Sequence, residues 1–403
     1  MSYNYAVLLD IAKEVGDSFY ILDRQKFEKN ITDYRSAFEN FCFSAHVAYS
    51  FKTNHFHDLC RINHELGGFS EVVSGAELDY ALALGIPPNR IIFNGPLKTN
   101  EDLRKGVELG VTINIDHLSE LNTIVSIVSD HSVEASIGLR LNLSDADNKS
   151  RFGIVPNAAE FDACISLLRE RPELKLFAIH CHIPHRSLES FERRANFLGK
   201  VYQEIKDLEP THLNFGGGMM SPLPSELATS LKLVSVSYQQ YAEVICRTLS
   251  AAGIEPDEIE LIFEPGTAVV ADVMTLVGRI HRVRSLNHSK VAVCNLSRYV
   301  AHANNHTTDI FVETVTNRLS HRDDESIDLV GYTCIEGDKL ATLSGFVEEG
   351  DFIVIPNAGS YSNVMKPPFI LPDVPIVSLL PKLEVLRPRQ SIQSMFRFDP
   401  SFF

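Results

Sequence analysis

Two features of the sequence have residue types and spacing suited to chemistry on a small molecule. Lys52 follows the run AYSF, so its amine is expected close to a partly desolvated cavity. Desolvation lowers the pKa of a lysine and frees the neutral amine to form a Schiff base. Gly216, Gly217 and Gly218 follow another apolar run, and consecutive glycines let backbone N–H groups approach an anion such as phosphate. A solvated surface lysine and a flexible turn are the alternative interpretations.

A carboxylate and a histidine group add further candidates. Glu264 closes the apolar run IELIFE, where a buried carboxylate needs a partner such as a protonated pyridine nitrogen, an arginine or backbone donors. The segment HCHIPH places His180 and His182 two residues apart, so both side chains share one face if the segment is a strand. A divalent metal held together with Glu264 or Asp116 is therefore a competing interpretation.

The elements that must position these residues alternate between β-rich runs and helix-period segments. The eight β-rich runs are 43–51, 69–73, 90–94, 111–115, 135–142, 175–182, 211–215 and 259–264. Helical patterns lie between them, at 75–84, 99–109, 117–130 and 188–208, and the residues expected to cap helices are Asp23, Ser74, Thr99 and Asp116. Strands that alternate with helices pair in parallel, and eight of them close a (β/α)₈ TIM-like barrel.

The carboxyl ends of these eight strands carry most of the candidate residues. In chain order they are Lys52, Glu71, Asn94, Asp116, Arg140, His182, the glycine triplet 216–218 and Glu264. Barrel enzymes carry their chemistry at that end of the barrel, and phosphates are held by the loops after strands seven and eight. We therefore expect one active site at this rim, with a phosphate near the glycines.

The pattern changes after residue 265. The segments 268–286, 290–298, 326–334, 339–346 and 351–357 are β-branched and are joined by turn-like stretches, which is typical of an antiparallel β domain. The first residues are expected to add a strand to it. The predicted organisation is thus a barrel over 22–267 and a mostly antiparallel β domain formed by 1–21 and 268–403.

Composition limits the class of protein. The chain has 403 residues, 44% hydrophobic and 22% charged, which suits a globular protein of two to three domains. A net charge of −15 disfavours nucleic acid and anionic membrane surfaces as partners. The seven cysteines are scattered, odd in number and form no CxxC pair, which fits a reducing compartment. The first residues show no basic leader, and we expect a cytoplasmic protein.

Ten motifs occur in an order that matches a known family. They read AYSFKTN, EVVSGAEL, IIFNGPLKT, INIDHLSEL, SRFGI, HCHI, NFGGG, FEPG, YTCIEGD and NAGSY. Over residues 17–380 the chain resembles the fold-type III pyridoxal-phosphate decarboxylases, which include diaminopimelate, ornithine and biosynthetic arginine decarboxylases. The resemblance implies a pyridoxal 5'-phosphate cofactor, an amino-acid substrate, and a head-to-tail homodimer with shared active sites.

The resemblance also implies a role for each matching residue around the cofactor ring. Lys52 forms the Schiff base with the cofactor, and His182 stacks on the ring. Glu264 pairs with the ring nitrogen and keeps it protonated, which makes the ring a better electron sink. Glu71 occupies the acidic position near Lys52 and the ring, and Arg140 occupies the arginine position on strand five.

Further residues are implied to bind the phosphate and the substrate. The phosphate ligands would be Gly216, Gly217, Gly218, Gly266, Thr267 and Tyr361. Cys334, a candidate proton donor to Cα, and Asp338 would come from the β domain of the partner subunit.

Four departures from the family pattern affect phosphate and substrate, the mildest being Gly359-Ser360-Tyr361 in place of GAY. His185 replaces a phosphate-binding serine, and Thr267 replaces the arginine of EPGR. Ile335 follows the cysteine where the family places an acid that reads a distal ammonium, and Glu336 comes one position later. A shift of one residue on a strand turns a side chain to the opposite face. We therefore expect free ornithine, lysine and diaminopimelate to be poor substrates, and a masked, conjugated or non-cationic side chain to fit better.

Three other functions compete with an amino-acid decarboxylase. A racemase or epimerase on the same fold could use Lys52 and Cys334 on opposite faces of Cα. A catalytically silent relative that binds a partner protein is favoured by the changes at His185 and Thr267. A metal-dependent hydrolase using His180 and His182 leaves the β-domain motifs unexplained, so we expect no metal in the site.

Overall fold

A computed structural model describes residues 3–144, 149–221, 223, 229, 235–287, 289–301, 309–318, 326–366 and 369–396. These described residues fall into two compact units. We call Phe27–Pro222 with Val234–Val269 the barrel unit, and Met1–Lys26 with Leu223–Leu233 and Val270–Phe403 the sheet unit. No described helix is long and apolar enough to cross a membrane.

The elements of both units are numbered in chain order. The described strands are β1 (Phe19–Leu22), β2 (Ala45–Ser50), β3 (Phe69–Val72), β4 (Ile91–Phe93), β5 (Thr112–Ile115), β6 (Ala135–Leu141), β7 (Leu174–Cys181), β8 (His212–Asn214), β9 (Glu260–Phe263), β10 (Met274–Ser285), β11 (Lys290–Cys294), β12 (Glu313–Val315), β13 (Ser326–Val330), β14 (Lys339–Ser344), β15 (Phe352–Ile355), β16 (Ile376–Ser378) and β17 (Glu384–Arg387). The described α-helices are α1 (Tyr5–Val15), α2 (Arg24–Glu39), α3 (His57–Glu65), α4 (Gly75–Ala83), α5 (Asn100–Leu109), α6 (Leu118–His131), α7 (Ala159–Glu170), α8 (Leu188–Ile205), α9 (Tyr238–Ala251), α10 (Thr267–Val270), α11 (Arg298–Ala301) and α12 (Ile392–Phe396).

The barrel unit is a closed parallel barrel of β2 to β9. Each strand pairs in parallel with the next, and β9 closes the barrel against β2 with Ala45 opposite Leu261 and Val47 opposite Phe263. Short loops and helices with clear caps connect the strands. Ser74 caps α4 through Glu77 N, and Thr99 forms a capping box with Asp102 at the start of α5.

An apolar layer fills the middle of the barrel. Ala48, Phe69, Ile92 and Ile262 form one buried cluster, and Phe177 packs against it. Side chains two residues apart on a strand share a face, so residues two positions further along these strands also point into the barrel. Polar side chains occupy those positions, and the site described below is built on this layer.

The sheet unit is a mostly antiparallel sheet in the order β14-β13-β11-β10-β1-β16-β17, with β15 beside β10 and β12 beside β15. β1 pairs antiparallel with β10 and parallel with β16, so residues from both parts of the sequence form one sheet. Leu8 and Ile11 of α1 pack on this sheet against Phe19, Val277 and Phe352.

The predicted fold class is confirmed: the chain forms a TIM-like barrel and a separate, mostly antiparallel sheet. Two local predictions were wrong. Asp116 was expected to cap a helix, but α6 starts at Leu118 with His117 at the N-cap, because the Asp116 carboxylate instead pairs with Arg140 and accepts from Gly153 N. The β-branched segment 268–286 was predicted as strand from its start, but residues 268–273 are helical.

Candidate active site

Lys52 and Glu71 form an ion pair at the carboxyl-terminal end of the barrel. A short 3₁₀ turn, Phe51–Thr53, follows β2 and presents the Lys52 side chain at the rim. Its Nζ lies 2.7 Å from Oε1 of Glu71, whose carboxylate is 1% exposed. Ser50 Oγ also donates to Glu71. The acid is therefore fixed in place, and the amine is held where β2 and β3 end.

Asn94 connects Glu71 to a second buried carboxylate. Its Nδ2 donates to Oε1 of Glu71 at 2.9 Å and to Oε1 of Glu264 at 2.8 Å. Asn214 donates to the same Glu264 oxygen at 2.8 Å. Asn114 donates to Oδ1 of Asn94 and thereby fixes its orientation. Two carboxylates at the ends of β3 and β9, the two strands that flank β2, are thus joined through amides rather than through a shared proton.

Glu264 is held ionised by its surroundings. Burial opposes ionisation, but the nearby His180 and Lys52 and the hydrogen bond from Asn94 outweigh burial, and the pKa of the Glu264 carboxyl lies well below its usual value. His180 Nε2 lies 3.3 Å from Oε2 without hydrogen-bond alignment. Because both amides donate to Oε1, Oε2 is the oxygen left for a further cationic or N–H partner.

His182 leaves the strand and joins the glycine loop. β7 ends at Cys181, and Nδ1 of His182 accepts a hydrogen bond from Gly217 N at 3.0 Å. Burial, and then the charge of Arg194, lower the pKa of His182 to about 3. Its imidazole is therefore neutral at physiological pH. Since His180 and His182 turn to different partners, they do not converge as the metal interpretation requires.

The glycine loop has backbone conformations and close approaches that only glycine allows. Gly218 has φ +108°, in the region that L side chains rarely adopt, and a Cβ on Gly217 would lie 2.7 Å from the carbonyl of Glu264. Gly266 is equally constrained, because a Cβ there would lie 1.9 Å from Thr53 Oγ1. These residues bring backbone close together at the end of β8 and β9, where barrels bind phosphate.

Other predicted residues of the barrel unit lie around this cluster. Arg140 is directed to Asp116 (Nη1 to Oδ1, 3.2 Å) and lies over the Phe152 ring, so its side chain belongs to a neighbouring polar group. Thr267 is the first residue of α10. His185 is exposed on the loop after β7.

The remaining predicted residues belong to the sheet unit. Cys334 and Ile335 are exposed, and Ile335 is 42% exposed. Asp338 is buried and accepts hydrogen bonds from Ser297 Oγ at 3.0 Å and Thr333 Oγ1 at 2.7 Å, so it braces its own loop. Tyr361 is half-buried with φ +58°.

A family model for "Pyridoxal-dependent decarboxylase, pyridoxal binding domain" matches residues 24–271. The chain belongs to this family. It is a pyridoxal-phosphate-dependent amino-acid decarboxylase, as the motifs predicted.

Similar proteins cover nearly the whole decarboxylase. Diaminopimelate decarboxylase of Archaeoglobus fulgidus is 28% identical, over 88% of this chain and 86% of that protein. The enzyme of Methanocaldococcus jannaschii is 24% identical, over 89% and 84%. In three dimensions the chain is similar to diaminopimelate decarboxylase of M. jannaschii (TM-score 0.86, 21% identity, 98% of this chain and 95% of that chain). It is also similar to the arginine decarboxylase of Paramecium bursaria Chlorella virus (TM-score 0.75, 20% identity, 91% and 97%).

These relatives contradict the prediction that diaminopimelate is a poor substrate, since the proteins matched over most of the chain carry that activity in their names. The prediction assumed that the residues around Ile335 form a strand, in which a shift of one position reverses the side chain. In the structure β13 ends at Val330 and β14 begins at Lys339, so residues 331–338 form a loop. Strand alternation therefore does not apply to Ile335 and Glu336.

The residues of the barrel rim fit pyridoxal phosphate. Glu264 is an ionised carboxylate with one oxygen free of amide donors, which suits a protonated ring nitrogen. His182 is a neutral aromatic ring, and Lys52 supplies an amine at a hydrogen-bond distance from Glu71. The closely packed glycine loop suits a phosphate that approaches its backbone at Gly218, since the N–H groups of Gly216 and Gly217 donate to Asn214 and His182.

Sequence reasoning missed three residues of this arrangement: Ser50, Asn214 and Arg194. Ser50 lies two residues before Lys52 and Asn214 two residues before Gly216, so strand alternation could have placed both inside the barrel. Arg194 stands at a buried position of α8, three residues after Phe191. A charged residue within the apolar repeat of a helix was the available signal.

Proposed function

We propose that this decarboxylase removes one carboxyl group from diaminopimelate, a substrate with an amino-acid group at each end. The observation that carries this proposal is the similarity to diaminopimelate decarboxylases over 88–89% of the chain. The polar cluster of the barrel rim supports it, because its groups suit a cofactor that acts on the α-carbon of an amino acid.

When bound, pyridoxal phosphate supplies an electron sink for the electron pair that remains as CO₂ leaves. In the proposed mechanism Lys52 would hold the cofactor through Nζ, and its amine would carry a proton beside Glu71 whenever it is not bound to the cofactor. Glu71, fixed by Ser50 and Asn94, orients that amine and balances its charge. Glu264 would hold a proton on the ring nitrogen through Oε2, the oxygen to which neither amide donates, and the neutral His182 would pack on the ring face.

We also infer a head-to-tail homodimer in which the sheet unit of one subunit completes the active site of its partner. Support comes from the loop 331–338, where the Cys334 thiol and the apolar Ile335 are exposed together. In the complete enzyme Cys334 donates the proton to Cα, Ile335 and His185 contact the substrate, and Tyr361 binds the phosphate with Gly216–Gly218, Gly266 and Thr267. Arg140 contributes to the cofactor site indirectly, through its ion pair with Asp116 beside the rim, and Asp338 holds the loop that carries Cys334 in position.

A cytoplasmic location agrees with the cysteine chemistry. All seven cysteines are free thiols, and five of them are buried. Disulfides persist in oxidising compartments, whereas scattered free thiols suit a reducing one.

The substrate is tested with purified protein loaded with pyridoxal phosphate. Meso-diaminopimelate should release CO₂ and give lysine, measured by mass spectrometry, while ornithine and arginine should react at least about 100-fold more slowly in kcat/KM. Lys52→Ala is the matched inactive control, and borohydride reduction of the wild type should place a pyridoxyl group on Lys52. Turnover of ornithine or arginine in preference to diaminopimelate would overturn the substrate assignment while leaving the cofactor chemistry intact.

A further inference from the structure

Arg194 is a fully buried arginine that joins two loops of the barrel rim. It projects from α8, and its exposed fraction is 0%. Nη1 donates to the carbonyls of Phe215 (2.9 Å) and Gly217 (2.6 Å), after β8. Nη2 donates to the carbonyls of Ile183 (2.6 Å) and His185 (3.0 Å), after β7. One guanidinium thus holds the loop of His182 against the glycine loop.

The charge of this guanidinium has no carboxylate partner among the residues that the structure describes. Burial lowers the pKa of Arg194 to about 10, so the group is still a cation at neutral pH. Its Nε is also buried without a hydrogen-bond partner in the described part of the chain. Besides the four carbonyls, the guanidinium contacts only neutral groups in the described part of the chain, the Ser190 hydroxyl and the Phe191 ring. A buried cation without an anionic partner is costly, and a nearby anion would lower that cost.

The hydrogen bonds of Arg194 also fix where the loop presents its donors. In a trans peptide the C=O and N–H groups point in opposite directions. Because the Gly217 carbonyl turns toward Arg194, the N–H of Gly218 turns away from it. The N–H groups of Gly216 and Gly217 are already bound by Asn214 Oδ1 and His182 Nδ1. Gly218 is therefore the glycine of the loop whose N–H is directed outward by this arrangement.

We propose that Arg194 is a positioning residue for the cofactor phosphate, supplying from beneath the glycine loop the positive charge that Thr267 does not supply at the rim. The arginine expected at position 267 would contact the phosphate directly. Arg194 acts instead through the loop. Its charge attracts the anion, and its hydrogen bonds to the carbonyls of Phe215 and Gly217 orient the Gly218 N–H toward that anion. This role does not depend on which amino acid the enzyme decarboxylates.

The test compares the affinity of the apoenzyme for pyridoxal phosphate with its affinity for pyridoxal, which lacks the phosphate. Arg194→Gln keeps amide donors for the loop carbonyls but removes the charge. We expect it to weaken pyridoxal phosphate binding about 10- to 100-fold, the range for one buried cation near an anion, with pyridoxal affinity changed less than about threefold. Both values come from absorbance titrations and need no catalysis.

A second substitution separates charge from structure. Adding Thr267→Arg to Arg194→Gln places a cation at the rim and is expected to recover most of the lost affinity for pyridoxal phosphate. Arg247→Gln removes an exposed arginine of α9 and should leave both affinities unchanged. Equal losses for pyridoxal phosphate and pyridoxal, or no recovery by Thr267→Arg, would mean that Arg194 only braces the loops and would overturn the proposal.

Arg194→Lys keeps the test decisive if Arg194→Gln does not fold. Lysine preserves the charge but cannot reach all four carbonyls. The proposal requires that the ratio of pyridoxal phosphate affinity to pyridoxal affinity in this variant stays at no less than about a third of the wild-type ratio. This requirement holds even if the variant melts at a lower temperature. A folded lysine variant that no longer distinguishes the two ligands would overturn it.

Discussion

The backbone N–H of Gly217 donates a hydrogen bond to Nδ1 of His182 over 3.0 Å. Because Nδ1 accepts, the ring proton lies on Nε2 and the imidazole is neutral. The glycine loop therefore sets the tautomer of the ring that is proposed to pack on the cofactor. A neutral ring meets a protonated pyridine without the charge repulsion that an imidazolium would bring.

The neutrality of His182 predicts a pH-dependent contribution to stability. Its pKa falls from 6.5 to about 3 on folding. Between these values the unfolded chain binds more protons, so the free energy of unfolding decreases as the pH falls through that window. His182→Phe removes this titration, and its stability should fall less than that of the wild type between about pH 7 and pH 5. Urea unfolding at each pH measures the two slopes, and equal slopes would contradict the assignment.

Removing the charge of Glu264 should slow the reaction without releasing the cofactor. Glu264→Gln can still occupy the same space, but it no longer stabilises a protonated ring nitrogen. We expect kcat to fall by about 10² to 10³-fold, the range for losing one preorganised electrostatic contact. The cofactor absorbance band should persist. Glu192→Gln, on the exposed face of α8, is the control, and full activity of Glu264→Gln with bound cofactor would exclude the proposed role.

Asn94 should contribute to stability because it lies between two buried carboxylates. Asn94→Leu leaves an oxygen of Glu71 and one of Glu264 without this donor, and we expect a loss of about 1–3 kcal/mol in the free energy of unfolding. Asn122→Ala, at an exposed position of α6, should change stability by less than about 0.5 kcal/mol. Denaturant titrations of the apoenzymes compare the two, and a neutral Asn94→Leu would show that water replaces the amide.

Lys98 and Glu120 form a buried ion pair away from the catalytic cluster. Their side chains are 0% and 4% exposed, with Nζ 2.9 Å from Oε1. Lys98→Met leaves a buried carboxylate without its partner and should cost about 3–5 kcal/mol. Lys98→Met with Glu120→Leu removes both charges and should recover part of that loss. A double-mutant cycle gives the coupling energy, and additive effects would show that the pair does not act as a unit.

The sequence predicted the barrel well because its signals are local and repeated. The β-rich run 135–142 corresponds to β6 at Ala135–Leu141, and the run 69–73 to β3 at Phe69–Val72. The strand ends therefore identified the rim, and alternation fixed which side chains point inward. Ser74 and Thr99 cap helices as predicted, since capping depends on a few neighbouring residues.

Features that depend on long-range contacts were less predictable. Asp116 pairs with Arg140 from the next strand, which no local rule indicates. Asn94 bridges residues 23 and 170 positions away, so its role follows from barrel closure. The misjudged substrate rested on assigning strand alternation to a loop around Ile335. Local patterns thus predict elements and their faces, whereas the pairing of polar groups across the barrel requires the closed structure.

The apolar layer of Ala48, Phe69, Ile92 and Ile262 closes the interior of the barrel below the active site. Below it lie His46, His212 and Glu260, and above it lies the cluster around Lys52 and Glu264. Substrate, water and departing CO₂ must consequently share the upper opening. CO₂ therefore leaves through the same opening by which the substrate enters, past the residues that close the site. The order in which the products leave is consequently set by the residues at the rim and not by a second exit through the bottom of the barrel.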